Sequence, residues 1–370
     1  MYLYIWFFFL TLGGVLMASD FDLAKDVLIP KITGSWSLLK TEKTSKFGSQ
    51  LIEVTPGHYY RTAPSQWLGL TSVYHTTRPK TFKLASDVVN VKAMNFVCDL
   101  PISQGQFNRV GDEWFVIGKK GKATNYQIAK IDWQLIPAMP IREHSSGNIR
   151  VALFDDYGSA GSGIPQCVKF LKTAQKMSLT LVKSRFIREG GLRHFDVVIF
   201  SGGSGGSQAA SLGLVGREQV RRFVESGGGY IGICAGNYLA CANYPWSLKL
   251  LDARTKSQFW ARGEGQVKIE FNEKGQGVLG MPKGVMEICY ANGPVFEPAL
   301  IKGIPDYQTL ATFRSELAEN GSPKGIQINS AAMVSGFYGA GRVLCSSPHP
   351  EQQVGMEHFV EKAVMWAAGR

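Results

Sequence analysis

Two short stretches of this chain carry side chains that can do chemistry together. The first is Gly232-Ile233-Cys234-Ala235-Gly236, a cysteine with a glycine two residues away on each side. That is the spacing of a nucleophile elbow, with sulfur where many hydrolases carry a serine hydroxyl. The turn is strained and brings the flanking positions together, so glycine relieves the clash on both sides. A helix starting at Ala235 would aim its free N–H groups at the sulfur and favour the thiolate. The N–H of Ala235, with a second donor from Gly203 in the loop Gly202–Gly206, would form an oxyanion hole. The second stretch is His349-Pro350-Glu351. Residues i and i+2 of an extended segment project to one side, which lets the carboxylate reach the imidazole, and Pro350 favours that geometry at His349. The implied roles are Cys234 as nucleophile, His349 as general base and then acid, and Glu351 as the group that orients the ring.

These residues need elements to hold them. From residue 148 onward, short apolar runs such as IRVALF, DVVIFSGG and YIGI alternate with amphipathic segments such as IPQCVKFLKTAQKM and REQVRRFVESGGG. This is the texture of βαβ units, and it predicts an α/β domain with a parallel sheet covered by helices on both faces. Further strands are expected at QVKIEF, VMEICYANG, YQTLATF, AAMVSGFY and RVLCSS, and one closing helix over EQQVGMEHFVEKAVMWAAG. The loops DDYGSAGSG and SGGSGGS and the turn at Cys234 all follow strand C-termini, the edge of an open α/β sheet where ligands bind. Residues 19–147 read differently, as short β-rich runs (HYYRT, DVVNVKAMNFVC, EWFVIG, YQIAKIDWQLI) broken by Gly, Pro, Asn and Asp. They predict a smaller β-rich domain of unknown role, with Trp36 packed under a strand.

At 370 residues the chain is long enough for two domains. A hydrophobic content of 45% with 19% charged residues belongs to a core-forming protein. The net charge of +11 is spread evenly, with 16 basic and 11 acidic residues before position 148 and 24 and 18 after it. No Lys/Arg stripe appears, so a nucleic-acid partner is not indicated. Residues 1–18 carry no charged side chain and read as a signal peptide or short membrane anchor. Export or membrane association is the expectation, and a cytoplasmic protein the alternative if translation starts at Met17. The six cysteines (98, 167, 234, 241, 289 and 345) lack zinc or disulfide-framework spacing, so neither a metal nor another cofactor is expected.

Gly-x-Cys-x-Gly followed by His-Pro-Glu resembles the class I glutamine amidotransferase superfamily. Within it, GGGYIGICAGNYLA, YANGPVF and GAGRVLCSSPHPE resemble the domain at the N-terminus of biotin-protein ligases, over about residues 149 to 370. The resemblance implies a flavodoxin-like fold and carries over Cys234, His349 and Glu351. Two departures accompany it. Glutamine-using relatives place a glutamine where Tyr238 stands, which puts glutamine hydrolysis in doubt. The ligase's own Gly-Arg-Gly-Arg-x-Gly-Arg-x-Trp and Lys-Trp-Pro-Asn-Asp segments are absent, so no ligase activity is expected.

The lesser candidates are Asp156, Tyr157, Tyr238 and Asn292, each able to line a pocket for a small-molecule or peptide amide. Asp156 and Tyr157 read equally well as turn residues capping a helix, and Asn292 as part of a plain Asn-Gly-Pro turn. Cys241 reads as core. The leading functional reading is a cysteine-dependent amidase or hydrolase. The alternatives are a non-catalytic ligand-binding or regulatory module and a redox-sensing thiol.

Overall fold

The computed structural model describes residues 27–38, 41–43, 50–55, 58–61, 68–69, 81–84, 95–96, 100, 104–110, 113–119, 127–142 and 147–370. Residues 1–18, and with them the expectation of export or membrane association, lie outside the described residues, as do Cys98, His75 and His144. Among the described residues no helix is long and apolar enough to cross a membrane. The chain divides into two units, residues 1–138 and 139–370.

The first unit is β-rich. Its strands are β1 (Val27–Ile32), β2 (Ser37–Leu38), β3 (Thr41–Lys43), β4 (Gln50–Thr55), β5 (His58–Arg61), β6 (Leu68–Gly69), β7 (Thr81–Leu84), β8 (Asn95–Phe96), β9 (Gln104–Val110), β10 (Glu113–Lys119) and β11 (Gln127–Ile136). The larger sheet runs β6-β7-β9-β10-β11-β1-β8, with β2 on β11, and β3-β4-β5 form a smaller one. Leu28, Leu100, Phe107, Val116, Ala129 and Ile131 make its core. Trp36 packs against that core with Trp114 and Trp133, as a tryptophan under a strand should.

The second unit alternates strand and helix at first. It runs β12 (Ile149–Phe154), α1 (Gly163–Thr173), β13 (Met177–Val182), α2 (Ser184–Arg188), β14 (Val197–Phe200), α3 (Gly205–Glu225), β15 (Gly229–Ile233) and α4 (Ala235–Ala240). Then follow β16 (Ala253–Thr255), β17 (Glu264–Phe271), α5 (Glu273–Leu279), β18 (Val285–Ala291), β19 (Phe296–Pro298), β20 (Gln308–Phe313), β21 (Ala331–Tyr338), β22 (Gly341–Ser346) and α6 (Glu357–Ala367). The sheet order is β13-β12-β14-β15-β22-β21-β20-β17-β18. The strands from β13 to β22 are parallel, and those from β21 to β18 each run antiparallel to their neighbours. The turn from Tyr338 to Gly341 leaves only Gly339 and Ala340 between β21 and β22, far too few for a parallel crossover.

Side-chain alternation along the buried strands builds a core on each face. Val151 and Leu153 face one way and meet Leu171 of α1 and Phe359 and Val364 of α6. Ala152 and Phe154 face the other and meet Ile187 of α2 and Leu212 and Phe223 of α3. This is an α/β layer fold with helices on both faces. The closing helix is shorter than its apolar run suggests. Residues Pro350–Gln352 form a 3-10 turn, Gly355 takes a φ of 85°, and α6 begins only at Glu357. A glycine in the left-handed region breaks right-handed helical geometry, as Gly213 at φ 62° kinks α3, so α6 starts after Gly355.

Candidate functional site

The strand order decides whether the two motifs meet. β22 lies beside β15, with Ile233 opposite Ser346 at the C-terminal ends of both strands. The Cys234 N–H then donates to the Ser346 carbonyl at 2.9 Å, which ties the elbow to the strand that leads into His349. Cys234 has φ 51° and ψ −98°, a positive-φ conformation that a non-glycine residue adopts only under constraint. The flanking glycines supply it. A Cβ on Gly232 would lie 2.8 Å from the Gly236 carbonyl carbon, and one on Gly236 would lie 2.1 Å from the Phe200 oxygen. Ala235 is the first residue of α4, as an elbow requires.

On the other arm, His349 Nδ1 and Glu351 Oε1 are 2.8 Å apart, with Glu351 fully buried and His349 5% exposed. The two meet through the 3-10 turn at Pro350–Gln352 and not through the strand alternation anticipated from the sequence. Gln352 Nε2 lies 3.1 Å from the same imidazole nitrogen and 3.2 Å from Glu351 Oε1. With Nδ1 held, Nε2 is the nitrogen left to work, and it has no hydrogen-bond partner among the described residues. Burial alone would lower the imidazole pKa. The Cys234 sulfur and the Glu351 carboxylate outweigh it and raise the value to about 10.

A third arm comes from β18, the last strand of the sheet. The His349 N–H donates to the Cys289 carbonyl at 2.8 Å, and the Cys289 N–H donates to Gln353 Oε1 at 3.0 Å. Two residues on, the Cys234 thiol donates to the Ala291 carbonyl at 3.3 Å. The outer edge of β18 therefore grips both the sulfur and the histidine. Sequence reading missed this arm, because a backbone carbonyl leaves no signature in residue type.

The remaining candidates separate. Gly203 has a φ of 127° and is bridged to Ser159, whereas its neighbour Gly202 is the one beside the ring: a Cβ there would lie 3.0 Å from His349 Cε1. Asp156 accepts from the Ser184 N–H at 2.9 Å, the Ser184 hydroxyl at 2.6 Å and the Tyr157 N–H at 2.8 Å. These bonds, that to the Ser184 hydroxyl foremost, hold its pKa below the usual carboxylate range. Asp156 thus caps the start of α2, and Tyr157 is 70% exposed. The Tyr238 hydroxyl donates to the Asn292 carbonyl at 2.9 Å, which brings both near the sulfur. The Asn292 side chain turns away, with Oδ1 accepting from the Gly263 N–H at 2.9 Å. Cys241 is fully buried, and burial pushes its thiol pKa up. Asn237, just past the elbow, is buried with neither amide atom partnered among the described residues.

The arrangement has the parts for acyl transfer: a sulfur at a strand end, an oriented imidazole and a buried carboxylate behind it. Among solved structures, several are similar to part of the chain at low identity. A cytoplasmic protein from Salmonella typhimurium is 13% identical, with a TM-score of 0.39 over 59% of this chain and 98% of that one. A putative ThuA-like protein from Bacteroides uniformis is 15% identical, with a TM-score of 0.41 over 61% of this chain and 94% of that one. A β-galactosidase from Bacillus circulans is 13% identical, with a TM-score of 0.37 over 60% of this chain and 31% of that one. No curated protein matches the chain. Residues 149–255, which include Cys234 but not His349 or Glu351, match the family model described as biotin-protein ligase, N terminal.

Proposed function

We propose that the second unit is a cysteine-dependent amidase of the class I glutamine amidotransferase-like kind, acting on a small-molecule or peptide amide. The observation that carries the reading is the buried contact of 2.8 Å between His349 Nδ1 and Glu351 Oε1, just beyond the strand that neighbours a constrained Cys234 elbow. In this scheme the sulfur's proton passes to His349 Nε2 and the thiolate adds to the amide carbon. The C–N bond then breaks, the amine leaves with the proton from His349, and a thioester remains on Cys234. Water, deprotonated by the same nitrogen, adds to the thioester, and the S–C bond breaks to give a carboxylic acid and the regenerated thiol. Glu351 holds the ring so that Nε2 faces the sulfur. The Ala235 N–H and the Gly202–Gly203 loop are the oxyanion donors in this reading.

Tyr238 argues against glutamine as substrate, because it takes the sequence position at which glutamine-using relatives carry a glutamine, and its hydroxyl is bonded to the Asn292 carbonyl. It also motivates the second reading, a binding or regulatory module with an idle cysteine. Labelling with electrophilic amides separates the two. The parent protein is expected to be alkylated at Cys234 at neutral pH far faster than the urea-unfolded chain, and His349→Ala to lose most of that advantage. Cys234→Ser should remove the label altogether. Equal rates for folded and unfolded chains would leave the idle-cysteine reading standing.

A further inference from the structure

Two partners compete for the proton on Cys234. One is His349, which Glu351 keeps basic. The other is the Ala291 carbonyl, 3.3 Å from the sulfur, which can bond only a protonated thiol. The carbonyl is not there by chance of rotamer. The Asn292 N–H, on the same trans peptide, donates to the Gly263 carbonyl at 3.0 Å. N–H and C=O of a trans peptide point in opposite directions, so an N–H committed to the β17 side aims the Ala291 oxygen at the catalytic loops. The same peptide's next residue is pinned twice more, through Asn292 Oδ1 to the Gly263 N–H at 2.9 Å and through the Asn292 carbonyl to Tyr238 at 2.9 Å. Asn292 itself has φ 55°, a turn conformation that asparagine tolerates well.

Ionising the sulfur therefore leaves a fixed carbonyl facing a thiolate. A part-buried acceptor that loses its partner forfeits that hydrogen bond, together with whatever desolvation solvent does not repay. A substrate that brings an N–H to that carbonyl removes the cost at the moment it presents its own acyl carbon to the sulfur. We infer that the Ala291 carbonyl is the N–H acceptor of the substrate site, so that an N–H-bearing amide displaces the thiol from it and releases the sulfur's proton to His349. Esters and tertiary amides of the same shape lack the donor and leave the thiol where it rests. The inference builds on Cys234 as nucleophile. It assigns Tyr238 and Asn292 the task of holding the carbonyl in place, and makes β18 a specificity element.

The test uses the full chain and three electrophiles that differ at one position. 2-Iodo-N-methylacetamide carries an N–H where methyl iodoacetate carries an ether-type oxygen, and 2-iodo-N,N-dimethylacetamide keeps the amide but not the N–H. In each reaction the sulfur displaces iodide, an S–C bond forms, and the sulfur's proton is taken up by His349. Second-order rates at Cys234, mapped by peptide mass, are divided by the rates at the same cysteine in the urea-unfolded chain. The expected result is a preference of about tenfold or more for the N-methylamide over both N–H-free probes. A normalised ratio near one for all three probes overturns the inference while leaving Cys234 a reactive nucleophile. No enhancement over the unfolded chain with any probe defeats the amidase reading, and the inference with it.

Discussion

Burying an imidazole disfavours its charged form, yet His349 binds its proton more tightly folded than free, with a pKa raised to about 10. Two contacts oppose burial, one with the Cys234 sulfur and one with Glu351 Oε1 at 2.8 Å. A raised folded pKa carries a definite sign. The stabilisation from protonated His349 is complete below the ordinary histidine pKa of about 6.5 and is lost as pH rises towards 10. Urea unfolding midpoints of the parent should therefore fall between pH 7 and 10 more steeply than those of His349→Ala. Parallel slopes for the two proteins would remove the charge coupling on which the imidazole's role depends. The residue scale also shows what composition reveals and what it conceals. Cys234, His349 and Glu351 were legible because their side chains are chemically distinctive and their spacing is constrained. Ala291 and Cys289 act through backbone atoms, which every residue type shares. Asp156 was legible as an acid on the active rim, but the Ser184 bonds that occupy it arise from contact across 28 positions.

At the scale of elements, the glycine pattern around Cys234 is a packing requirement. A Cβ at Gly236 would stand 2.1 Å from the Phe200 carbonyl oxygen, a backbone atom on a fully buried strand that has no room to yield. Gly236→Ala should destabilise the protein by about 1–3 kcal/mol and displace the sulfur, lowering Cys234 alkylation together with the melting temperature. Gly277, inside α5, meets nothing within 4 Å of an added Cβ. Gly277→Ala should instead stabilise by about 0.5–1 kcal/mol, the ordinary helix-propensity gain, and leave alkylation unchanged. Equal effects at the two sites would mean that the elbow tolerates a methyl group, contrary to its geometry. Periodicity located the strands of the second unit well, since QVKIEF, VMEICYANG, YQTLATF, AAMVSGFY and RVLCSS all fall on strands. It could not give their direction. Whether an apolar run lies parallel or antiparallel depends on the connection before it, and the two-residue link from β21 to β22 settles the matter only where the strand ends are known. The apolar period overstates the closing helix for a related reason: it runs straight through Gly355, whose φ of 85° stops the helix.

At the scale of the molecule, among the described residues the groups that bond Cys234, His349 and Glu351 belong to the second unit: Ser346, Asn237, Tyr238, Ala291, Cys289, Gln352 and the pair's own contact. That unit also draws in residues before its first strand. Met139 packs on its helical face. The Arg142 N–H donates to the Ser226 carbonyl at 2.8 Å, its guanidinium lies 3.5 Å from Asp196, and the same group sits over the Phe223 ring at 5.2 Å. A chain begun at residue 139 keeps these contacts, and one begun at residue 148 loses them. Both should fold and retain enhanced alkylation at Cys234, because none of the lost groups touches the site. The shorter one should unfold at lower urea with an unchanged denaturant slope, by roughly 1–3 kcal/mol, the range for losing a charged hydrogen-bonding group from a part-buried position. Equal midpoints would mean that residues 139–147 add nothing to the fold. If only the complete chain preserved the reactivity of Cys234, the first unit would have to supply something to the site, and its β-rich sheet would become part of the chemistry.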